Sequence, residues 1–208
     1  MREPLPSTAA RIRVGPARLL GLWAVLATCA YGLLLMVPVV ISMLLLSVMK
    51  LSLLTFLCPV AVIAASLFFL PFGFGNPYIA RLVRPLIPPG AKDGFIAQLT
   101  LSPRIHSGLR ALIEDADDVG WLSFTENELV FSGDSVQLTI PFEEIRELRS
   151  CSIGWRGLFL YGQQSVFCVS SLPEVKLFRF AERSSWLLPA SRKTAGQLHK
   201  ALKGELSR

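Results

Sequence analysis

The densest group of residues that could do chemistry is Glu114-Asp115-Ala116-Asp117-Asp118. Carboxylate oxygens are what Ca2+ and Mg2+ prefer. The run has neither the spacing, the glycine nor the terminal Glu of an EF-hand loop, and it predicts no metal site. Glu114, Asp115, Asp117 and Asp118 are read instead as a solvated acidic face for a basic partner. His106 and His199 are far apart, and neither has a local nucleophile or orienting group around it, as acid–base or covalent catalysis requires. His199 is expected to decorate the surface of a helix. Cys29, Cys58, Cys151 and Cys168 form no Cys-x-x-Cys pair. A zinc site is therefore not predicted, and buried small apolar thiols are. Gly73-Phe-Gly75 does not follow a strand, so it fails as a phosphate loop. The expectation is a protein with no catalytic, metal or cofactor site.

The elements that would carry these residues divide sharply by charge. The chain has 208 residues, 52% hydrophobic and 17% charged, with net charge +6. A soluble domain usually carries about 25% charged residues. Residues 19–49 and 51–80 contain no charge, and Lys50 lies between them. A membrane-spanning helix needs roughly 20 apolar residues. This run therefore predicts two spans, at about 20–45 and 53–72, with Lys50 snorkelling at the hairpin tip. The apolar run is too long for a signal-peptide core, and in Leu26-Ala27-Thr28-Cys29 Thr stands where a small Gly, Ala or Ser is expected before the Cys. Arg11, Arg13 and Arg18 precede the run, and Arg81, Arg84 and Lys92 follow it. The positive-inside rule then gives an integral inner- or plasma-membrane protein with both termini in the cytoplasm. Ala24, Thr28 and Gly32, and likewise Ala61 and Ala65, are small residues at four-residue spacing. They suit either close packing within the hairpin or a homo-oligomer seam. The expected organisation is a basic tail at 1–18, a transmembrane hairpin at 19–72, a Pro/Gly-rich interfacial linker at 73–93 and a cytoplasmic domain at 94–208. Arg81, Arg84 and Lys92 are the candidate lipid-facing residues.

From about 94 the apolar period becomes two. Strands are predicted at 95–101, 120–125, 128–131, 135–140, 149–154, 157–161, 165–170 and 175–181. A short helix is predicted at 107–116 and a helical turn at 141–148. Leu122, Phe124, Leu129 and Phe131 can share one face, as can Val136, Leu138 and Ile140. A last helix at about 190–206 has Ser191 as a candidate cap and Ala195, Leu198, Leu202 and Leu206 as an apolar stripe. This predicts an antiparallel β-barrel or sandwich of about seven strands, closed by a C-terminal helix.

Three stretches, Gly120-Trp-Leu-Ser-Phe-Thr-Glu-Asn-Glu-Leu-Val-Phe131, Leu138-Thr-Ile-Pro-Phe-Glu-Glu-Ile145 and Phe178-Arg-Phe180, resemble the pleckstrin-homology (PH) superfold in its GRAM-like branch. The likeness covers about 119–206. The first hairpin carries Glu126 and Glu128 in place of the basic cluster of inositide-binding members, so that ligand is not carried over. The resemblance implies a PH-like, non-enzymatic domain that docks a protein or peptide, or senses an anionic lipid surface. The other expected role is an accessory subunit of a transport or envelope complex, contacting its partner through the hairpin. The basic final third is weak evidence for nucleic acid, and none is expected as a partner.

Overall fold

The computed structural model describes residues 9–16, 76–88, 94–105, 116–152, 163–185 and 187–207, with nine isolated positions between 26 and 61. The described elements are strand β1 (Arg11–Val14), helix α1 (Asn76–Val83), strands β2 (Gly94–Ser102), β3 (Asp118–Phe124), β4 (Glu128–Gly133), β5 (Val136–Pro141), β6 (Ile145–Cys151), β7 (Gln164–Val169) and β8 (Leu177–Glu182), and helix α2 (Leu188–Leu206). Single 3-10 turns follow α1 at Arg84–Leu86 and β5 at Phe142–Glu144. The eight strands form one curled antiparallel sheet in the order β1-β5-β4-β3-β2-β8-β7-β6.

Alternation decides which side of each strand is buried. Leu122 lies opposite Phe131, and Phe124 opposite Leu129. With Val136, Leu138 and Ile140 they face the concave side. Phe131, Phe167, Phe178 and Phe180 are fully buried there. Phe167 stacks on Phe178 with centroids 5.7 Å apart, and Phe131 meets Phe180 edge-on at 5.5 Å, geometries that the ring quadrupole favours. Helix α2 covers this core with Ala195, Leu198 and Leu202, packing against β6, β7 and β8. Its first turn begins at Leu188, with no side-chain cap. Ser191 is not the cap that sequence predicts. It donates instead to the buried carboxylate of Glu182, Oγ to Oε2 at 2.6 Å. The other Glu182 oxygen accepts from the Ser184 amide and hydroxyl, both at 2.6 Å, and from the Ser185 amide. One side chain thus binds the end of β8, the following turn and the start of α2.

Gly120 and Gly133 face each other across β3 and β4. A Cβ on Gly120 would overlap the Ser132 and Gly133 backbone, and one on Gly133 would strike the Asp118 carboxylate. The missing side chains let the strands approach and let Asp118 reach the next turn. Its Oδ2 accepts from the amides of Ser135 at 2.8 Å and Val136 at 2.6 Å, while Oδ1 accepts from Val119 at 2.8 Å.

The structure corrects several expectations. Among the described residues no helix is long and apolar enough to cross a membrane. The membrane-anchored fold with its transmembrane hairpin, and the integral-membrane location built on it, are overturned by that finding. Apart from the nine isolated positions, which are helical with exposed side chains, the run 19–72 lies outside the described residues. The small-residue faces fall in this run. The physical basis of the topology argument also changes. Arg11 and Arg13, read as flanking charges of a free tail, belong to β1, which pairs with β5.

Seven of the predicted strands correspond to β2–β8, and β1, which was not predicted, adds an eighth at the β5 edge. The helical turn at 141–148 shrinks to Phe142–Glu144, since β6 already begins at Ile145. The expected helix at 107–116 and strand at 157–161 fall almost wholly outside the described residues. The Pro/Gly-rich linker is partly a docked helix. α1 lays Ile79 and Val83 on Val119, Ile96 and Trp121, on the outer face of β2 and β3. Asn76 donates from Nδ2 to the Ser185 carbonyl at 2.6 Å.

Candidate docking groove on the outer face

Parity places a second set of residues on the convex side of β6, β7 and β8. In β7, Phe167 is buried in the core, so Gln164, Val166 and Cys168 face outward. In β8, Phe178 and Phe180 point inward, so Leu177 and Arg179 face outward. Register then aligns Arg149, Val166 and Arg179 across the three strands. These residues, with Cys168 and Glu147, line a groove of about 460 Å3.

β6 forms one end of the sheet order, so no described strand pairs with its outer side. Its ladder with β7 is interrupted between Arg146 and Arg149. Within that interruption Glu147 has φ 54°, a left-handed conformation uncommon for a residue with a side chain. The bulge brings Glu147 Oε2 within 2.8 Å of Arg149 Nη2. Both side chains are well exposed, and such a surface pair contributes little stability. It sets the Arg149 head beside Glu147, both of which line the groove. Cys151 is an exposed free thiol and Cys168 a half-exposed one, so neither is the buried apolar cysteine expected. The Cys168 thiol donates to the Arg146 carbonyl at 3.5 Å. Among the described residues no cluster of three or more His, Cys, Asp or Glu could hold a metal ion.

The acidic candidates are not brought together as a surface. Asp117 and Asp118 are buried. Asp117 accepts from the Leu101 amide at 2.7 Å and the Ile105 amide at 3.0 Å, with the Arg104 guanidinium 3.5 Å away. Asp118 caps the β4–β5 turn, and burial holds its carboxyl above the usual 3.8 despite its backbone hydrogen bonds. Glu114 and Asp115 lie outside the described residues, as does Lys92. Arg81 and Arg84 are exposed at the end of α1 and on the turn after it, on elements that do not line the groove. Arg149, Val166 and Cys168 were not singled out from sequence as one surface. The signal was present in the parity of Gln164-Ser-Val-Phe-Cys-Val169: Cys168 shares its side with Gln164 and Val166, opposite to Phe167.

His199 does not simply decorate the surface. It reaches back from α2 to Ser165, with Nδ1 and Oγ 3.3 Å apart. Ser165 is buried, and the contact ties the helix to the sheet. Burial, and then Lys203, lower the pKa of His199 below 6.5. The folded state binds this proton less readily than the unfolded chain. Its contribution to stability is therefore present above pH 6.5 and is lost as pH falls through the depressed folded value. His199→Gln is expected to flatten that part of the stability–pH profile. Urea midpoints of both proteins measured between pH 5 and 8 check this. An unchanged slope in the variant would place the titration elsewhere.

Comparison of the chain with protein-family models, with curated proteins and with solved structures found no match. The functional reading therefore rests on residues and their geometry.

Proposed function

We propose that this chain is a non-enzymatic docking protein whose β6 edge and adjoining groove take up an extended acidic peptide. The observation that carries the reading is the conjunction of an edge strand, with no described strand on its outer side, and a groove flanked by Arg149 and Arg179. An edge strand presents unpaired amides and carbonyls, and a peptide can satisfy them by adding a strand. Alternate peptide side chains would then fall over the groove, where an aliphatic one meets Val166 and acidic ones meet the arginines. The bulge at Glu147 and the arginines on this edge disfavour pairing with the same edge of another copy, a common protection of exposed strands. The strand order β5-β4-β3-β2-β8-β7-β6 with a helix over the core supports the PH-like reading, a scaffold that offers such an edge.

A fluorescein-labelled peptide of alternating Glu and Val, titrated with the full-length protein, tests this by fluorescence anisotropy. The acidic peptide is expected to saturate, and a Lys/Val peptide of equal length is not. The double variant Arg149→Glu/Arg179→Glu should weaken binding about tenfold or more, since losing about 1 kcal/mol at each contact exceeds the 1.4 kcal/mol of one decade. Its thermal unfolding should stay close to that of the parent. Equal binding of acidic and basic peptides, or of parent and variant, would remove the reading.

A further inference from the structure

We propose that Cys168 is a thiol-modification site that takes up a low-molecular-weight disulfide with carboxylate arms, the arms lying on the arginines of the outer groove. Two free thiols line this groove, Cys151 exposed and Cys168 half-exposed. Cys151 pairs across the ladder with Gln164, four positions before Cys168 on β7. At 3.4 Å per residue this sets them about 14 Å apart along the strand, twice the Cα limit of about 7 Å for a disulfide. Neither thiol can be closed by the other, so a disulfide made at Cys168 within the groove joins it to a molecule from outside.

The charges of the groove say what that molecule carries. Arg149 is already engaged by Glu147 at 2.8 Å. Arg179 is half-buried, and its guanidinium makes no hydrogen bond or ion pair among the described residues. A guanidinium fork in that position is a seat for a carboxylate, whose geometry it matches. Arg179 pairs with Val166, so it stands one strand from Cys168 and two from Cys151. Along β7 the offset from Val166 to Cys168 is about 7 Å, the span of two extended residues. A carboxylate arm of a small thiol peptide has that reach. The Cys168 thiol already leans toward β6, through its bond to the Arg146 carbonyl at 3.5 Å. The step is thiol–disulfide exchange. Cys168 gives its proton to water and its thiolate sulfur attacks one sulfur of the incoming disulfide. The new sulfur–sulfur bond forms as the old one breaks, and the other half leaves as a thiolate. Cys168 is oxidised and the departing half is reduced, so the balance needs no further oxidant. The adduct then occupies the groove and excludes the acidic peptide. This last consequence rests on the function proposed above, and the adduct itself does not.

Oxidised glutathione, which carries carboxylate arms, and uncharged hydroxyethyl disulfide are the two probes. Each is mixed with the full-length protein, and the adduct at Cys168 and at Cys151 is timed by peptide-mapping mass spectrometry. Dividing the charged-probe rate by the neutral-probe rate at each thiol removes the difference in their exposure. This ratio should be about threefold or more higher at Cys168 than at Cys151, the effect of one charge contact. Arg179→Gln should bring the two ratios together, and Arg179→Lys should keep most of the difference. Equal ratios in the parent, or a ratio at Cys168 that Arg179→Gln leaves unchanged, overturn the proposal. Anisotropy with the Glu/Val peptide is read on the same samples. The Cys168 adduct should lose that peptide, and dithiothreitol should restore it. Undiminished peptide binding by the adduct overturns its placement on the arginines. A parent that binds the peptide but shows equal ratios sinks this inference alone. A parent that shows the expected ratios but binds no peptide supports the thiol site and removes the peptide reading.

Discussion

Replacing Glu182 by alanine is expected to remove a large fraction of the domain's stability. The carboxylate is 1% exposed and accepts from two backbone amides and two hydroxyls. Deleting it leaves the amides of Ser184 and Ser185 and the buried Ser191 hydroxyl to find other acceptors. A stranded buried donor costs about 1–3 kcal/mol, and hydrogen bonds to charged groups contribute about 1.5–3 kcal/mol each. Because Ser184 is exposed, water recovers part of the loss, and a total of about 3–5 kcal/mol is expected. Against the 5–15 kcal/mol typical of a whole domain this is a large fraction. It corresponds to a fall in Tm of roughly 6–20 °C at the 2–4 °C per kcal/mol of a chain this size. Glu182→Gln keeps one acceptor oxygen for the two amides and should lose about half as much. Thermal unfolding followed by circular dichroism separates the two. A Glu182→Ala protein that melts within a few degrees of the parent would show that the turn between β8 and α2 does not depend on this side chain. The same variant should uncouple α2 first, because Ser191 in its first turn is the link that is cut.

Much of the sheet was legible because alternation is a local signal. Val136, Leu138 and Ile140 must share a face whatever the rest of the chain does, and the strands around them follow. The elements that were misread have signals that compete with a stronger neighbour. Arg11-Ile-Arg-Val14 alternates as a strand should. It is only four residues long, and it stands before a charge-free run that makes its arginines look like topology signals. Asn76-Pro77 has the form of a helix start, a good capping residue followed by Pro at the first turn, yet two Pro and two Gly over 71–77 point to a linker. Helix α1 becomes worthwhile only once Val119, Ile96 and Trp121 present an apolar outer face to cover, and that face exists only after the sheet has formed. The acidic run fails for the same reason. No local rule distinguishes a carboxylate in water from one that caps a turn at a distance. Asp117 and Asp118 are turned inward by amides that register brings to them, from Leu101, Ile105, Ser135 and Val136. The groove shows what parity can add. The outward side of β7 could be read from Phe167 alone, but its alignment with Arg149 and Arg179 needs the β6 bulge, which shifts the register and has no signature in the sequence.

The largest effect after Glu182 is expected at Asp118, and it should be coupled to Gly133. Asp118→Ala removes the acceptor of the Ser135 and Val136 amides, both at the buried start of β5. The expected loss is about 2–4 kcal/mol. Gly133→Ala is destabilising for a different reason, because its new Cβ meets the Asp118 carboxylate and the Phe131 ring. Overpacking of this kind typically costs about 1–3 kcal/mol. Both penalties draw on the same atoms, so they should not add. Once Asp118 is alanine, the space its carboxylate filled can take the methyl group, and Gly133→Ala should then cost at least about 1 kcal/mol less than in the parent. Additive losses in a double-mutant cycle of urea unfolding would mean that the two positions fail independently, and that the carboxylate does not set the approach of β3 to β4. Acidity gives a second handle. Burial raises the pKa of Asp118 above 3.8 in the folded state, with Asp134 adding to the effect. The contribution linked to this proton is fully present below pH 3.8 and is lost as pH rises through the folded value. Asp118→Asn removes the buried charge while keeping one acceptor. Its stability relative to the parent should therefore fall as pH is lowered through that window, whereas a purely steric role would leave the difference between the two proteins flat.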